Sequence, residues 1–384
     1  MTQTQPPGIE VLPVRTRRER RLFLTFPWRI YADDPLWVPP LLSERAKTLD
    51  PRRGAFFRRG EAEQFIAWKN GIPVGTICAA EDKAGNASMH KRECMFGFFE
   101  YAQEEAVAHA MIDRVSQWAA VRGLATLGGP FNLDYEDSYG VLVEGRDRPP
   151  AILCGHTPPY YQDFFEHNGF RPLAGDNLAY ELALDTSSPA LQRTAVLAER
   201  IRRQGWIRIR TPDLRQWKSE VEVVQELMNR SMAHLPDFRR WEREAVEGLL
   251  EPFRTIADPD LVLFAEIKGK TIGWFAGVAN LNEVLIHLNG LRYPWDLLRA
   301  LRWMRTKPRC IALKSILVLP EYWGSGAALL LIDEMVRRAC AKGYQWADLS
   351  LTSDTNPYTP ELATRMGARI YKRYRVYGKP IGAA

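Results

Sequence analysis

The chain has 384 residues, too many for one compact core and suited to two domains of typical size. Lys and Arg number 52 against 46 Asp and Glu, and the resulting net charge of +6 suits anionic lipid, phosphorylated ligands and tRNA alike. Cys78, Cys94, Cys154, Cys310 and Cys340 form no CxxC pair, no apolar run approaches the ~18 residues of a membrane span, and Met1 to Gly8 lacks an apolar core. These features exclude a disulfide scaffold, a helical membrane span and a secretory leader, so a cytoplasmic protein with reduced thiols is expected.

Residues 1–8 are polar and proline-rich and are expected to fray, so the first domain is set at 9–185. Ile66 to Gly75 reads as a hairpin turning at Asn70-Gly71, where glycine supplies the positive φ of a tight turn. An amphipathic helix through Met111-Ile112-Asp113 closes at Gly123, an irregular stretch runs from Phe131 to Thr157, and a second helix from Tyr161 ends at Gly169. The strand Leu178 to Leu184 ends this copy, and the polar stretch Asp185 to Ala190 holds the linker, 186–190.

The second domain, 191–384, repeats this pattern. Phe264 to Gly273, turning at Lys268-Gly269, aligns with Ile66 to Gly75 at an offset of 198, and the same offset carries Tyr161-to-Gly169 onto Thr359-to-Gly367. Leu331-Ile332-Asp333 to Gly343 matches Met111 to Gly123 at an offset of 220, so the second copy holds extra residues before that helix. Agreement at several anchors argues for duplication. The extra residues include Tyr293 to Lys307, which reads as a helix begun at Pro294. Leu297, Leu298, Ala300, Leu301 and Met304 fall on one side, with Arg299, Arg302 and Arg305 on another, flanked by Trp295 and Trp303. Two readings of this helix stand open: a surface helix packed on its own domain, and a peripheral membrane contact through 294–307.

Ile316 to Arg338 is the most informative stretch. An apolar strand runs through Pro320 into Trp323-Gly324-Ser325-Gly326-Ala327-Ala328 and then directly into an apolar-faced helix. Glycines let the backbone pass close to a ligand, and the amides of the first helical turn make an anion site suited to a pyrophosphate. Two or three such bonds at ~1.5 to 3 kcal/mol each are comparable with the ~8 kcal/mol of a micromolar complex.

With that loop, the chain resembles the GNAT superfamily of acyl-CoA N-acyltransferases, whose pyrophosphate loop reads R/Q-x-x-G-x-G/A. Gly326 and Ala328 match, while Trp323 stands where the family has Arg or Gln. The resemblance implies a mixed α/β fold of two tandem domains, each a central, mostly antiparallel twisted sheet flanked by helices. In the first copy the loop falls on Gln103 to Ala108, with Ala106 for the close-approach glycine and Glu104 and Glu105 where phosphates sit, so that copy reads as cofactor-incompetent.

What the resemblance implies for chemistry is direct acyl transfer from acetyl-CoA or a longer acyl-CoA to a primary amine of a small molecule or lipid. It assigns the thioester carbonyl to the amides of Leu317, Val318 and Leu319, the phosphates to Trp323 through Ala328, and a pantetheine contact to Asn356. The family's acid tyrosine falls on Ala363, so Tyr358 and then Tyr374 are the candidate acids; Glu283 and then Asp354 are the candidate bases. A non-catalytic acyl-CoA sensor is the alternative. Lesser ones are a ceramide synthase-like enzyme acting on a sphingoid-type base and a tRNA-dependent aminoacyltransferase, although no nucleic-acid module is recognisable. The six histidines fall in no metal-ligand spacing, so no metal is implied. His156 reads either as an acceptor-facing group or as a buried, hydrogen-bonded one, and Cys154 lacks the setting of a nucleophile.

Overall fold

A computed structural model describes every residue except 1–7, 134–138, 235–237, 239, 252–253, 255–256, 304 and 383–384. The expected N-terminal fraying, and Met304 of the basic helix, therefore lie outside the described residues apart from Gly8. The chain divides into two compact units: residues 1–177, 282–306 and 372–384 form one, and 178–281 with 307–371 the other.

The first unit is built on β1 (Ile9–Pro13), β2 (Glu61–Lys69), β3 (Ile72–Glu81), β4 (Glu93–Tyr101), β5 (Thr126–Gly129), the short pair-former β6 (Val141–Glu144) and β7 (Arg171–Pro172). The second contains β8 (Asn177–Ala183), β9 (Ile207–Arg210), β10 (Val262–Ile267), β11 (Lys270–Ala279), β12 (Cys310–Val318), β13 (Trp346–Ser353) and the start of β14 (Arg369–Arg375); β15 (Tyr377–Pro380) returns to the first. The first sheet runs β1-β2-β3-β4-β5-β15-β7 and the second β6-β14-β8-β13-β12-β11-β10-β9. In each, only the β4/β5 and β12/β13 pairs among those with a defined register are parallel, giving the mixed, mostly antiparallel sheets expected of the fold.

Strands β2 to β4 carry apolar residues on both faces. Phe65, Ala67, Ile77, Ala79 and Phe96 turn to the helix Glu105–Val121, while Ile66, Cys78, Ala80 and Met95 turn to Phe23 and Leu24 of the helix Arg17–Thr25. With a side-chain period of two, such runs demand cover on both sides. The second sheet is buried in the same way, with Leu330, Leu331 and Met335 of the helix Ala327–Ala341 on one face and Val221, Val224 and Leu227 of the helix Trp217–Ser231 on the other. Each of these large side chains contributes about 1.5 to 3 kcal/mol on burial.

The repeat anchors coincide in backbone conformation. Asn70 and Gly71 have φ of 51° and 75°, Lys268 and Gly269 of 48° and 78°, so both hairpins turn through two left-handed residues as a type I′ turn requires. The sequence places a domain boundary in 186–190, whereas the compact units divide at 177/178, 281/282, 306/307 and 371/372, with an exchange of strands. Strand β8, read as the end of the first copy, lies in the second sheet between β14 and β13, and β15, at the end of the second copy, lies in the first between β5 and β7. Neither strand's own residues name its partner: β8 is Asn177-Leu-Ala-Tyr-Glu-Leu-Ala183 and β15 only Tyr377-Gly-Lys-Pro380, and the pairing partner is a non-local choice.

The basic helix also differs from its expected form. It spans Asp296–Trp303 rather than beginning at Pro294, because Asp296 is fully buried and its carboxylate accepts from the Tyr293 N–H at 2.9 Å and from Asn289 Nδ2 at 3.3 Å. Asp296, Ala300 and Trp303 form its inner side, Trp303 stacking on His287 at 3.7 Å. Trp303 is thus not an exposed flank of the helix. The leucines face outward: Leu297 is 58%, Leu298 71% and Leu301 67% exposed.

Candidate functional site

Strand β12 pairs antiparallel with β11 along its whole length, from Ala279↔Ile311 to Gly273↔Val318, with a bulge that leaves Ser315 unpaired between Ile316 and Lys314. On its other edge it pairs with β13 only at Cys310↔Trp346, Ile311↔Ala347 and Ala312↔Asp348. Beyond those rungs β12 and β13 continue without pairing to each other, which leaves a gap between their C-terminal ends. A bulge bends and twists the strand that carries it, which is the local cause of the divergence. Leu319 N–H bonds to Ile272 O at 2.9 Å, so in the alternation of an antiparallel ladder Val318 turns its own amide the other way, toward the gap.

The glycine loop follows at once. Gly324 and Gly326 have φ of 79° and 91°. At Gly326 a Cβ would also lie 2.5 Å from Ile201 Cδ1, so only glycine fits there, whereas no atom lies within 4 Å of a Cβ placed on Gly324. The helix Ala327–Ala341 makes its first internal bond from Leu330 N–H to Gly326 O at 3.0 Å. Ala327 N–H reaches Ser325 Oγ at 3.2 Å, and the amides of Ala328 and Leu329 precede the helical ladder, directed along the axis at the positive end of the dipole.

Trp323 donates its indole N–H to Val318 O at 2.9 Å, which fixes the ring at the mouth of the gap. Tyr358 lies 6.0 Å from it, ring to ring, and His234 5.2 Å. The structure thus brings Leu317 to Leu319, Trp323 to Ala328 and Tyr358 together. Tyr358, 60% exposed, heads the helix Thr359–Arg365; Asn356 caps that helix, its Oδ1 accepting from Tyr358 N at 2.9 Å and Thr359 N at 3.2 Å. Asp354 is exposed in the turn after β13. The other two candidates belong to the first unit. Tyr374 is fully buried and donates to Gly155 O at 2.9 Å, and Glu283 sits in the short helix Asn282–Leu285.

The first unit carries the same framework with its openings filled. Strand β4 pairs with β5 only from Glu93↔Thr126 to Met95↔Gly128, and Gly75↔Tyr101 repeats Gly273↔Val318. Ala102 N–H bonds to Val74 O as Leu319 does to Ile272. Yet the Tyr101 amide donates to Tyr161 Oη at 3.1 Å, Phe131 N–H closes on Phe96 O at 2.7 Å, and Asn132 Oδ1 accepts from Phe98 N at 2.8 Å. At the loop position Glu104 pairs with Lys69 Nζ at 2.6 Å and Glu105 accepts from Asn168 Nδ2 at 2.6 Å.

A separate cavity of about 220 Å³ lies within the first unit, bordered by Trp37, Glu100, Cys154, His156, Tyr161 and Asn282 among others. His156 is the buried, hydrogen-bonded histidine of the second sequence reading, with Nε2 2.7 Å from Asp34 Oδ2. Asp34 and Glu100 carried no sequence signal, since each becomes notable only through partners far along the chain. None of the five cysteines is in a disulfide, and the Cys78 thiol is deeply buried. Among the described residues no group of three or more His, Cys, Asp or Glu is arranged to hold a metal ion, and no helix is long and apolar enough to cross a membrane.

Residues 222–368 match the acetyltransferase (GNAT) family model. Over nearly its full length the chain is similar to the bacterial ceramide synthase of Caulobacter vibrioides, at 28% identity over 97% of this chain and 98% of the relative. It is also similar to protein YghO of Escherichia coli K12, at 27% identity over 95% and 94%. Among solved structures, a tandem GNAT protein from the clavulanic acid biosynthesis pathway superposes with a TM-score of 0.59 over 98% of this chain and 99% of its own, at 12% identity, a likeness of fold.

Proposed function

From the premise that the chain is an acyl-CoA-dependent N-acyltransferase of tandem GNAT fold, we propose that the second unit holds the acyl-CoA and that the acceptor is the primary amine of a sphingoid-type lipid base. The observation that carries the first part is the direction of the Val318 amide into the gap between β12 and β13, next to the glycine loop. In this reading the amides around Gly326 hold the diphosphate and Val318 N–H polarises the carbonyl. Acyl-CoA supplies an activated thioester, so the protein's tasks are to align a neutral amine and to return a proton to the departing sulfur. Tyr358 suits the latter role, being exposed beside Trp323. The filled gap and the paired Glu104 support a first unit that binds no acyl-CoA.

The lipid acceptor is supported by the relative named as a ceramide synthase, which aligns end to end with this chain. It is supported too by the outward Leu297, Leu298 and Leu301 beside Arg299 and Arg302, a pattern suited to lying on an anionic membrane surface. A sensor that binds acyl-CoA without turnover is the second reading, favoured by Trp323 in place of a cation. The test is incubation with long-chain acyl-CoA and a sphingoid base, reading N-acyl product by mass spectrometry and free thiol in parallel. Amide product with equimolar thiol supports the enzyme; acyl-CoA binding by calorimetry without thiol release across a panel of amines supports the sensor.

A further inference from the structure

The gap between β12 and β13 opens beside three rings contributed by separate segments of the second unit. Trp323 comes from the glycine loop, Tyr358 from the head of the helix Thr359–Arg365, and His234 from the turn after the helix Trp217–Ser231. Trp323 lies 5.2 Å from His234 and 6.0 Å from Tyr358, and the last two lie 6.2 Å apart, ring to ring. Their planes cross at 87°, 57° and 64°, so none of the three pairs is stacked. Trp323 is 49% exposed, and Tyr358 and His234 are exposed as well, so a ligand reaches all three.

The polar atoms decide what such a cluster attracts. The only donor of the Trp323 ring, its indole N–H, is engaged by Val318 O at 2.9 Å, which leaves a π surface for a ligand. That surface is electron-rich; it draws a cation and gives a phosphate nothing to bind. The charges on the adjoining elements are already paired: Arg230 with Glu226 at 2.8 Å and with Glu321, and Lys270 with Glu321 at 3.8 Å. The His234 nitrogens have no hydrogen-bond partner among the described residues, so its imidazole is available as a proton acceptor. The bond to Val318 O also puts the cluster next to the residue whose N–H faces the gap.

We infer that Trp323, Tyr358 and His234 form the receiving site for the acceptor's amino group, the rings attracting it as an ammonium and His234 taking the proton it must lose before attack. The inference rests on the amine-acceptor reading above and adds the residues that recognise and activate the amine. The step balances in atoms and charge. One ammonium proton passes to His234 and on to solvent, the freed lone pair forms the C–N bond, and the C–S bond breaks. The sulfur takes the Tyr358 proton, and Tyr358 recovers the second proton lost by the nitrogen.

The binding arm of the test uses the full-length protein without acyl-CoA, titrated by calorimetry with a short-chain 2-amino-1,3-diol and with its uncharged N-acetyl derivative. Wild type is expected to bind the amine at least about threefold more tightly. Trp323→Leu is expected to remove that preference by weakening the amine about 3- to 10-fold, while Trp323→Phe, which keeps a ring, retains it. Melting curves confirm folding, and Tyr358→Leu takes the place of Trp323→Leu if that variant fails the check. An amine bound no better than its N-acetyl derivative, or a preference that survives in the folded leucine variant, overturns the inference whether or not acyl transfer is observed. The kinetic arm uses long-chain acyl-CoA and a sphingoid base. His234→Ala is expected to lower kcat about 100-fold or more, with amine affinity within about threefold and activity partly restored by added imidazole; an unchanged kcat overturns the role of His234. If wild type itself transfers no acyl group, the enzymatic reading falls and the base role with it, while the ammonium site is decided by the binding arm.

Discussion

The hydroxyl of Tyr161 lies 3.1 Å from the main-chain amide of Tyr101, the residue that holds in the first sheet the place Val318 holds in the second. The amide that faces an open gap in one unit is capped by a side chain in the other. Tyr161 also donates to Glu100 and stacks on Tyr101 at 4.9 Å, so it is buried as both a polar and an aromatic partner. Tyr161→Phe removes both hydrogen bonds and leaves two buried groups short of a partner. It is expected to destabilise the fold by about 1 to 3 kcal/mol, read as a lower urea midpoint. It is not expected to create a second acyl-CoA site, because Phe131 and Asn132 still close the gap; a binding stoichiometry above one per chain by calorimetry contradicts this.

Gly326→Glu is expected to abolish acyl-CoA binding. The left-handed φ of 91° strains any other residue, a Cβ meets Ile201 Cδ1 at 2.5 Å, and a carboxylate enters the position proposed for the phosphates. Ala106→Glu, at the aligned position of the first unit, is expected to leave acyl-CoA affinity within about twofold. Calorimetry with both variants checks the assignment, and equal losses contradict it.

Tyr358→Phe separates acid catalysis from binding. If the hydroxyl protonates the departing thiolate, kcat falls by about 100-fold or more while the acyl-CoA dissociation constant is unchanged. The aromatic contact with Trp323 survives in the variant, so a loss of binding instead assigns Tyr358 a packing role.

Glu100 makes stability depend on pH. Its carboxyl is raised from 4.5 to about 7 by burial, opposed by the hydrogen bond from Tyr161, the charge of Arg45 and the hydrogen bond from Tyr31. A raised value means the native state holds the proton more tightly than the unfolded chain does. Below 4.5 the group is protonated in both states and costs nothing. Stability therefore falls as pH rises from 4.5 through about 7, by on the order of 3 kcal/mol at most, at ~1.4 kcal/mol per unit. Glu100→Gln is expected to flatten that part of the pH–stability curve. Subtracting the two curves cancels His156, which borders the same cavity, and parallel curves contradict a desolvated carboxyl.

Leu297→Glu with Leu301→Glu is expected to abolish sedimentation with vesicles containing anionic lipid, while wild type binds these and not neutral vesicles. Both side chains face outward, so the fold is expected to keep its melting temperature. Retained binding in the double variant places any membrane contact elsewhere.

Much of this architecture was readable in the chain. The paired hairpin turns, the helices closed by Gly123 and Gly343, and the strand–glycine–helix unit at 316–338 are local arrangements, written in spacing and in residues that tolerate positive φ. Local sequence could not say which sheet takes β8 and which takes β15, because a strand's pairing partner is set by segments far along the chain. Nor could it pair His156 with Asp34 across 122 residues, or aim Tyr161 at the Tyr101 amide across 60. Backbone conformation follows from neighbours along the chain, whereas burial, proton positions and the capping of a distant amide arise only when folding brings remote segments into contact.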